Sequence, residues 1–337
     1  MIVLLAILLV LTAAGAGLAL FTLRTARRVE AALPPAGRFV EVPGARLHVV
    51  ERGEGPSILL VHGLAGQMGD FTYGVVDLLA TQYRVAAVDR PGSGYSVRAP
   101  GASASLYAQA DALAALIDVL ELGRPLVVGH SFGGAVALAL AERHPERVAG
   151  LALAAPLAYL VDRVPPTFRG LGISCLWLRT LVAWTLAAPA NLLGRGVALG
   201  FVFAPEVVPP DFATRGGNLL GVRPSSFIAA SADMIAVAED LPVMQRRYGA
   251  MRLPVSVLFG RGDRILSPRD QGEALVAAIP GAEFTLVDGG HMLPVTAPER
   301  TAQFIREAAS RAFAPPISEG IAHGTPSLVG KPSGPAW

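Results

Sequence analysis

The chain has 337 residues, a formal net charge of +2 and 52% apolar residues, a length that fits one large domain or two small ones. It has no basic tract, so no nucleic-acid footprint is expected, and its single cysteine, Cys175, excludes an internal disulfide framework. Cys175 lies in the apolar run GISCLWL, where the expected role is that of a small buried side chain.

Residues 1–23, MIVLLAILLVLTAAGAGLALFTL, carry no charged side chain. A helix over them is about 34 Å long at ~1.5 Å per residue, enough to cross a bilayer. A retained transmembrane anchor fits better than a cleaved signal peptide, because no lysine or arginine precedes the apolar run; the small residues of AAGAGLA keep cleavage as the alternative. Arg24, Arg27 and Arg28 follow directly, which places the rest of the chain on the cytoplasmic side of a membrane, a bacterial inner membrane, with export as the alternative. Residues 24–37 read as a linker closed by Pro34, Pro35 and Gly37.

From residue 38 to 155, short apolar runs alternate with helical patterns. RFVEV and RLHVVE flank PGA as a hairpin. SILLVHG and YRVAAVDRPG read as buried strands, LYAQADALAALIDVLEL as a helix, PLVVGHS as a strand, FGGAVALALAERHPERV as a helix and VAGLALAAP as a strand. The alternation breaks over residues 156–254, rich in proline and bulky apolar residues, which read as an inserted helical cap. A second membrane span over 181–204 is the rival there, opposed by Pro189 and Arg195. Over 255–314 the pattern returns, with strands PVSVLFG and AEFTLVD and helices over SPRDQGEALVAAI and APERTAQFIREAASRAF. The tail, 315–337, is rich in proline, glycine and serine and is expected to be disordered. The expected architecture is an α/β fold, a mostly parallel sheet flanked by helices with an inserted cap.

Between the strand LVVGH and the helix FGGAVALAL stands Gly129-His130-Ser131-Phe132-Gly133, a G-x-S-x-G pattern in the strand–turn–helix context it requires. The turn exposes the serine oxygen at the strand's C-terminal end beside a helix N-terminus, where developing negative charge is favoured. A serine needs a base, and the base an orienting acid. Asp263, just past the strand VSVLFG, and His291, just past EFTLV, stand in the order serine, acid, histidine. Asp162 is the alternative acid, and Asp288, so close to His291, is expected to shape its loop. His130 has a structural role beside the serine, and His48, His144 and His323 lie away from the strand ends. An oxyanion hole is expected from the amide of Leu64, in VHGLAG, and that of Phe132, and one lost donor of this kind costs ~3 kcal/mol in barrier.

Together VHGLAG, DRPGSGYS, GHSFGG, GRGDRILSP and GGHMLP resemble the α/β-hydrolase superfamily, in its branch of capped esterase-like and C–C-bond hydrolases, over about residues 38–314. The resemblance implies that Asp89 to Ser96 shape the pocket without catalytic groups. It also implies that the serine at the nucleophile position departs from the dehalogenase and epoxide-hydrolase branches, which use aspartate there. The expected function is hydrolysis of an ester of a small lipophilic acyl compound through an acyl-serine. A C–C-bond hydrolase or a perhydrolase using the same three residues is one alternative, and a non-catalytic membrane-associated scaffold is another. Trp177, Trp184, Phe201 and Phe203 are candidates to line the pocket or to pack the cap. No metal-ligand cluster or phosphate-cradling glycine loop is present, so no cofactor is expected.

Overall fold

The computed structural model describes residues 1–314; the disorder expected of 315–337 lies outside them. Helix α1 (Ile2–Ala32) is followed by strands β1 (Arg38–Val42), β2 (Ala45–Arg52), β3 (Ser57–Val61), β4 (Arg84–Val88) and β5 (Val97–Arg98). Then come α2 (Leu106–Val119), β6 (Leu126–His130), α3 (Phe132–Arg143) and β7 (Gly150–Ala154). Helices α4 (Leu176–Thr185), α5 (Ala187–Phe203) and α6 (Pro224–Met244) form the insertion, and β8 (Val255–Gly260), β9 (Glu283–Val287) and α7 (Pro298–Ala312) complete the fold.

The central strands are apolar on both faces because helices cover both faces. Leu59, Val61, Val127, Leu151 and Val257 pack toward α2 and α3, while their strand neighbours Ile58, Leu60, Val128 and Leu258 pack toward Phe304 and Ile305 of α7. The sheet runs β1-β2-β4-β3-β6-β7-β8-β9, with β5 paired to β2. Strand pairs from β4 through β3 to β9 are parallel, and β1, β2 and β5 join antiparallel. The order reverses between β4 and β6, so the loops after β3, β4 and β6 emerge side by side at one sheet edge. This is where ligands bind in open parallel sheets.

Two sequence expectations change here. The helix predicted to end at residue 23 runs on through Ala32, across most of the expected linker. RTARRVEAA contains no helix breaker, and the helix stops just before Pro34-Pro35. Its last turns are not free: Thr22, Ala26 and Val29 are buried, Val29 packs with Leu220 and Val222, and Glu30 meets Arg223 at 3.4 Å. The apolar segment ahead of them is covered by no other described element. Cys175, expected to be buried, is exposed. It caps α4, whose outer apolar residues no other described element covers: Trp177 is 69% exposed.

The insertion is helical, as expected, and α4 and α5 meet at a 71° bend rather than continuing as one straight span. Pro189 sits in the first turn of α5, where its missing amide costs no helical bond.

Candidate active site

Ser131 has φ 53° and ψ −121°, a left-handed backbone that a non-glycine residue adopts only under constraint. Three backbone bonds impose it. Its amide donates to Ala154 O at 3.0 Å, and its carbonyl accepts from Gly134 N at 2.8 Å and Leu157 N at 3.0 Å. The turn is too tight for side chains beside it: a Cβ on Gly129 would stand 2.6 Å from Gly133 O, and one on Gly133 would strike Val61 O.

The loops after β8 and β9 bring the acid and the base together. His291 is buried and its Nδ1 lies 2.8 Å from Asp263 Oδ2. The other oxygen, Oδ1, accepts the amides of Ile265 and Leu266 at 2.8 and 3.0 Å, which fixes the carboxylate rotamer. An Asp263 acceptor on Nδ1–H leaves Nε2 as the ring's free basic nitrogen. Ser131 and His291 line the same cavity of about 210 Å³. Among the described residues no hydrogen bond joins the two side chains, a looseness common where no substrate is bound.

Two amides near Ser131 are unpaired among the described residues. Neither Leu64 N–H nor Phe132 N–H donates to a protein acceptor among the described residues. Leu64 borders both the 210 Å³ cavity and a second one of about 380 Å³, which Phe132 and Ser131 also line. The orientation of the Leu64 amide has a cause. It shares a planar trans peptide with the carbonyl of Gly63, so the two groups point in opposite directions. That carbonyl accepts from Arg90 Nη2 at 2.9 Å and from His62 Nδ1 at 2.9 Å, and pinning it inward turns the Leu64 N–H outward.

Sequence reasoning missed Arg90. It is fully buried, its Nε donates to His62 O at 2.9 Å, and its Nη1 reaches Gln109 Oε1 at 2.8 Å and Asp233 Oδ2 at 2.7 Å. Its guanidinium lies 4.6 Å over the Phe132 ring. One side chain therefore touches the Phe132 ring and the Gly63 carbonyl of the peptide that carries the Leu64 amide, and Asp233 of α6 ties it to the cap. The signal was present as an arginine inside an otherwise small-residue turn, DRPGSG, but its partner lies 143 residues on. Asp70 was also missed: buried, it lines the 210 Å³ cavity, and among the described residues its carboxyl makes no hydrogen bond. Glu206 of the cap accepts Gly290 N with both oxygens at 3.0 and 3.1 Å, holding the histidine loop from above.

The remaining candidates are placed elsewhere. His130 donates from Nε2 to the carbonyl of His291 at 3.0 Å, the structural role expected of it. His48 pairs with Asp89 and His144 with Asp111. Asp162 is exposed, and Asp288 points to solvent near Arg261. Phe203 is buried and lines the smaller cavity, whereas Trp177 and Trp184 face outward.

A family model described as alpha/beta hydrolase fold matches residues 56–171. A protein of unassigned function from Mycobacterium tuberculosis is 30% identical over 80% of this chain and 80% of its own. The structure of a thermophilic esterase from Thermogutta terrifontis is 28% identical, covers 82% of this chain and 99% of that one, and superposes with a TM-score of 0.63. A crystal structure of a membrane phospholipase A covers 94% of this chain and 100% of that one with a TM-score of 0.67 at 23% identity, which shows a shared fold. The chain belongs to the α/β-hydrolase superfamily, and it is a hydrolase of that family.

The buried ionisable groups around the site make stability depend on pH. Burial and the Arg90 charge hold His62 down to about 3, and burial and His291 hold His130 down to about 3. Burial and the Asp89 charge push Asp70 up to about 7. As pH falls from 6.5 toward 4, the unfolded chain protonates both histidines while the folded one does not, so their contribution is lost on acidification. Asp70 acts in the opposite sense, since the folded chain already holds its proton in that window. Net uptake on unfolding is one proton from these three groups, so stability falls by about 1.4 kcal/mol per pH unit. Asp70→Asn removes the opposing proton and is expected to steepen that dependence to about 2.7 kcal/mol per unit. Urea unfolding at several pH values between 4.5 and 6.5 reads the slope, and an unchanged slope contradicts the assignment.

Proposed function

We propose that this chain is a membrane-tethered serine hydrolase that cleaves the ester of a lipophilic acyl compound through an acyl-serine. Ser131 is the nucleophile, His291 the general base, Asp263 the residue that sets its tautomer, and Leu64 and Phe132 the oxyanion donors. Three features around the cavity that Ser131 and His291 both line support this reading. These are the left-handed turn, the His291 ring already bonded to Asp263, and two amides without acceptors. His291 takes the proton from the Ser131 hydroxyl as its oxygen attacks the carbonyl, and returns it to the leaving alcohol. A water, deprotonated by the same imidazole, then releases the acid.

The lipophilic part of the reading is supported by the larger cavity, lined by Leu157, Leu160, Val161, Phe168, Ile235 and Leu266. Burial of an apolar acyl chain there excludes water from the reacting carbonyl. If the reading is right, a fluorophosphonate probe labels the full-length protein at Ser131, and p-nitrophenyl esters are turned over with a preference for medium over acetyl chains. Ser131→Ala abolishes both. No labelling and no turnover of any chain length refutes the proposal.

Membrane attachment is supported by α1, whose apolar first turns no other described element covers, and by the outer faces of α4 and α5 next to it. Trp177 is 69%, Leu193 89% and Val197 81% exposed there. The last turns of α1 pack beside these helices, so a bilayer that holds α1 meets the same face. In vesicles containing brominated lipid, the emission of a Trp337→Phe variant, which reports Trp177 and Trp184 alone, is expected to be quenched relative to plain vesicles. Equal emission in the two would contradict the placement.

A further inference from the structure

The two cavities that meet at Ser131 differ in chemistry. The larger is almost entirely apolar, whereas the smaller is bordered by Asp70, Asn191, Arg195, Asn218 and Ser226 as well as by phenylalanines. Arg195 is half-buried at the wall of the smaller cavity. Its Nε donates to Asn218 Oδ1 at 3.1 Å, and one terminal nitrogen is buried without a partner. Among the described residues no carboxylate forms an ion pair with it, whereas Arg90 and Arg98 share Asp233, and Arg223 has Glu30. Its own proton affinity is lowered by burial alone, with no acid acting to raise it. Asp70, in the same cavity, responds to Asp89 and Arg90 rather than to Arg195.

A guanidinium held on a helix at the wall of a cavity, half withdrawn from water and with one nitrogen lacking a partner among the described residues, is suited to a carboxylate or phosphate oxygen. Nothing in the fold requires a charge at this position, since α5 is otherwise uncharged and packs through Leu199, Val202 and Phe203. We propose that Arg195 binds an anionic group, carboxylate or phosphate, on the alcohol portion of the ester, while the acyl chain occupies the larger apolar cavity. The inference deepens the serine-hydrolase reading and rests on it. The Ser131 Oγ–acyl bond forms as the ester C–O bond breaks, and the anionic alcohol leaves with the proton that His291 took from Ser131. Water then supplies the hydroxyl of the released acid and restores the serine.

The test uses the full-length protein in non-ionic micelles with matched octanoyl esters of glycerol, glycerol phosphate and glycolate. The kcat/KM for the anionic esters is expected to exceed that for the glycerol ester by at least about ten-fold. Arg195→Gln is expected to reduce that ratio by a similar factor, and Arg195→Lys to keep part of it, since it preserves the charge but not the planar fork. The phosphate and carboxylate arms tell which anion the subsite favours. A wild-type ratio near one, or an equal loss on charged and neutral esters in Arg195→Gln, overturns the proposal. Should the variant fail to fold, the wild-type ratio decides alone. If no ester is turned over and no probe labels Ser131, the hydrolase reading has failed instead. Equilibrium binding of octyl phosphate then still reads the subsite: about ten-fold weaker binding by Arg195→Gln supports it and equal binding refutes it.

Discussion

The left-handed turn at Ser131 is the constraint on which the remaining features depend. A non-glycine residue held at positive φ costs on the order of 1–3 kcal/mol, and it persists only where its surroundings over-determine it. Here the surroundings are the end of β6, the start of α3 and the carbonyl of Ala154 on β7. Glycines at 129, 133 and 134 let these elements approach closely enough to close the turn. The parallel sheet supplies the rest of the arrangement. Loops leaving β3, β8 and β9 emerge at the same edge as the one leaving β6, so residues far apart in the chain share one cavity.

Arg90 shows how the core and the cap are made to depend on one another. Burying a guanidinium is expensive unless its donors are satisfied and a counter-charge is near. This one meets Asp233, Gln109 and two carbonyls of the loop after β3, and removal of Asp233 would leave the guanidinium buried without its ion-pair partner, whereas Asp233 without Arg90 would keep Arg98. The network gains a geometrical result from that cost, because the same bonds orient the peptide that carries the Leu64 amide. A cap displaced from Asp233 would loosen the loop it helps to aim. Glu206 makes a second tie of the same kind, from the cap to the amide of Gly290 beside His291.

Much of this was legible in the sequence. Apolar runs of strand length alternating with helical periods gave the parallel sheet, and the strand–GHSFG–helix context marked Ser131. The place of Asp263, just past the strand before that of His291, favoured it over Asp162, and the structure pairs Asp263 with His291 and leaves Asp162 in solvent. What escaped were pairings across long stretches of chain. Arg90 with Asp233, Glu206 with Gly290 and the open donor of Arg195 depend on how the cap settles on the sheet, which no local period encodes. The extent of α1 and the exposure of Cys175 escaped for a different reason. Composition marks an apolar segment, but whether protein or another medium covers it is a property of the assembled surface.

The relay from Asp263 through His291 to Ser131 is the central claim, and turnover of a p-nitrophenyl ester by Asp263→Asn beside Asp162→Asn tests it most directly. An asparagine at 263 can accept from the imidazole or turn its amide toward it, and it no longer stabilises the imidazolium, so kcat is expected to fall by about 10⁴-fold. Asp162→Asn is expected to stay close to the parent. Retention of nearly full kcat in Asp263→Asn, or its loss in Asp162→Asn, would contradict the account.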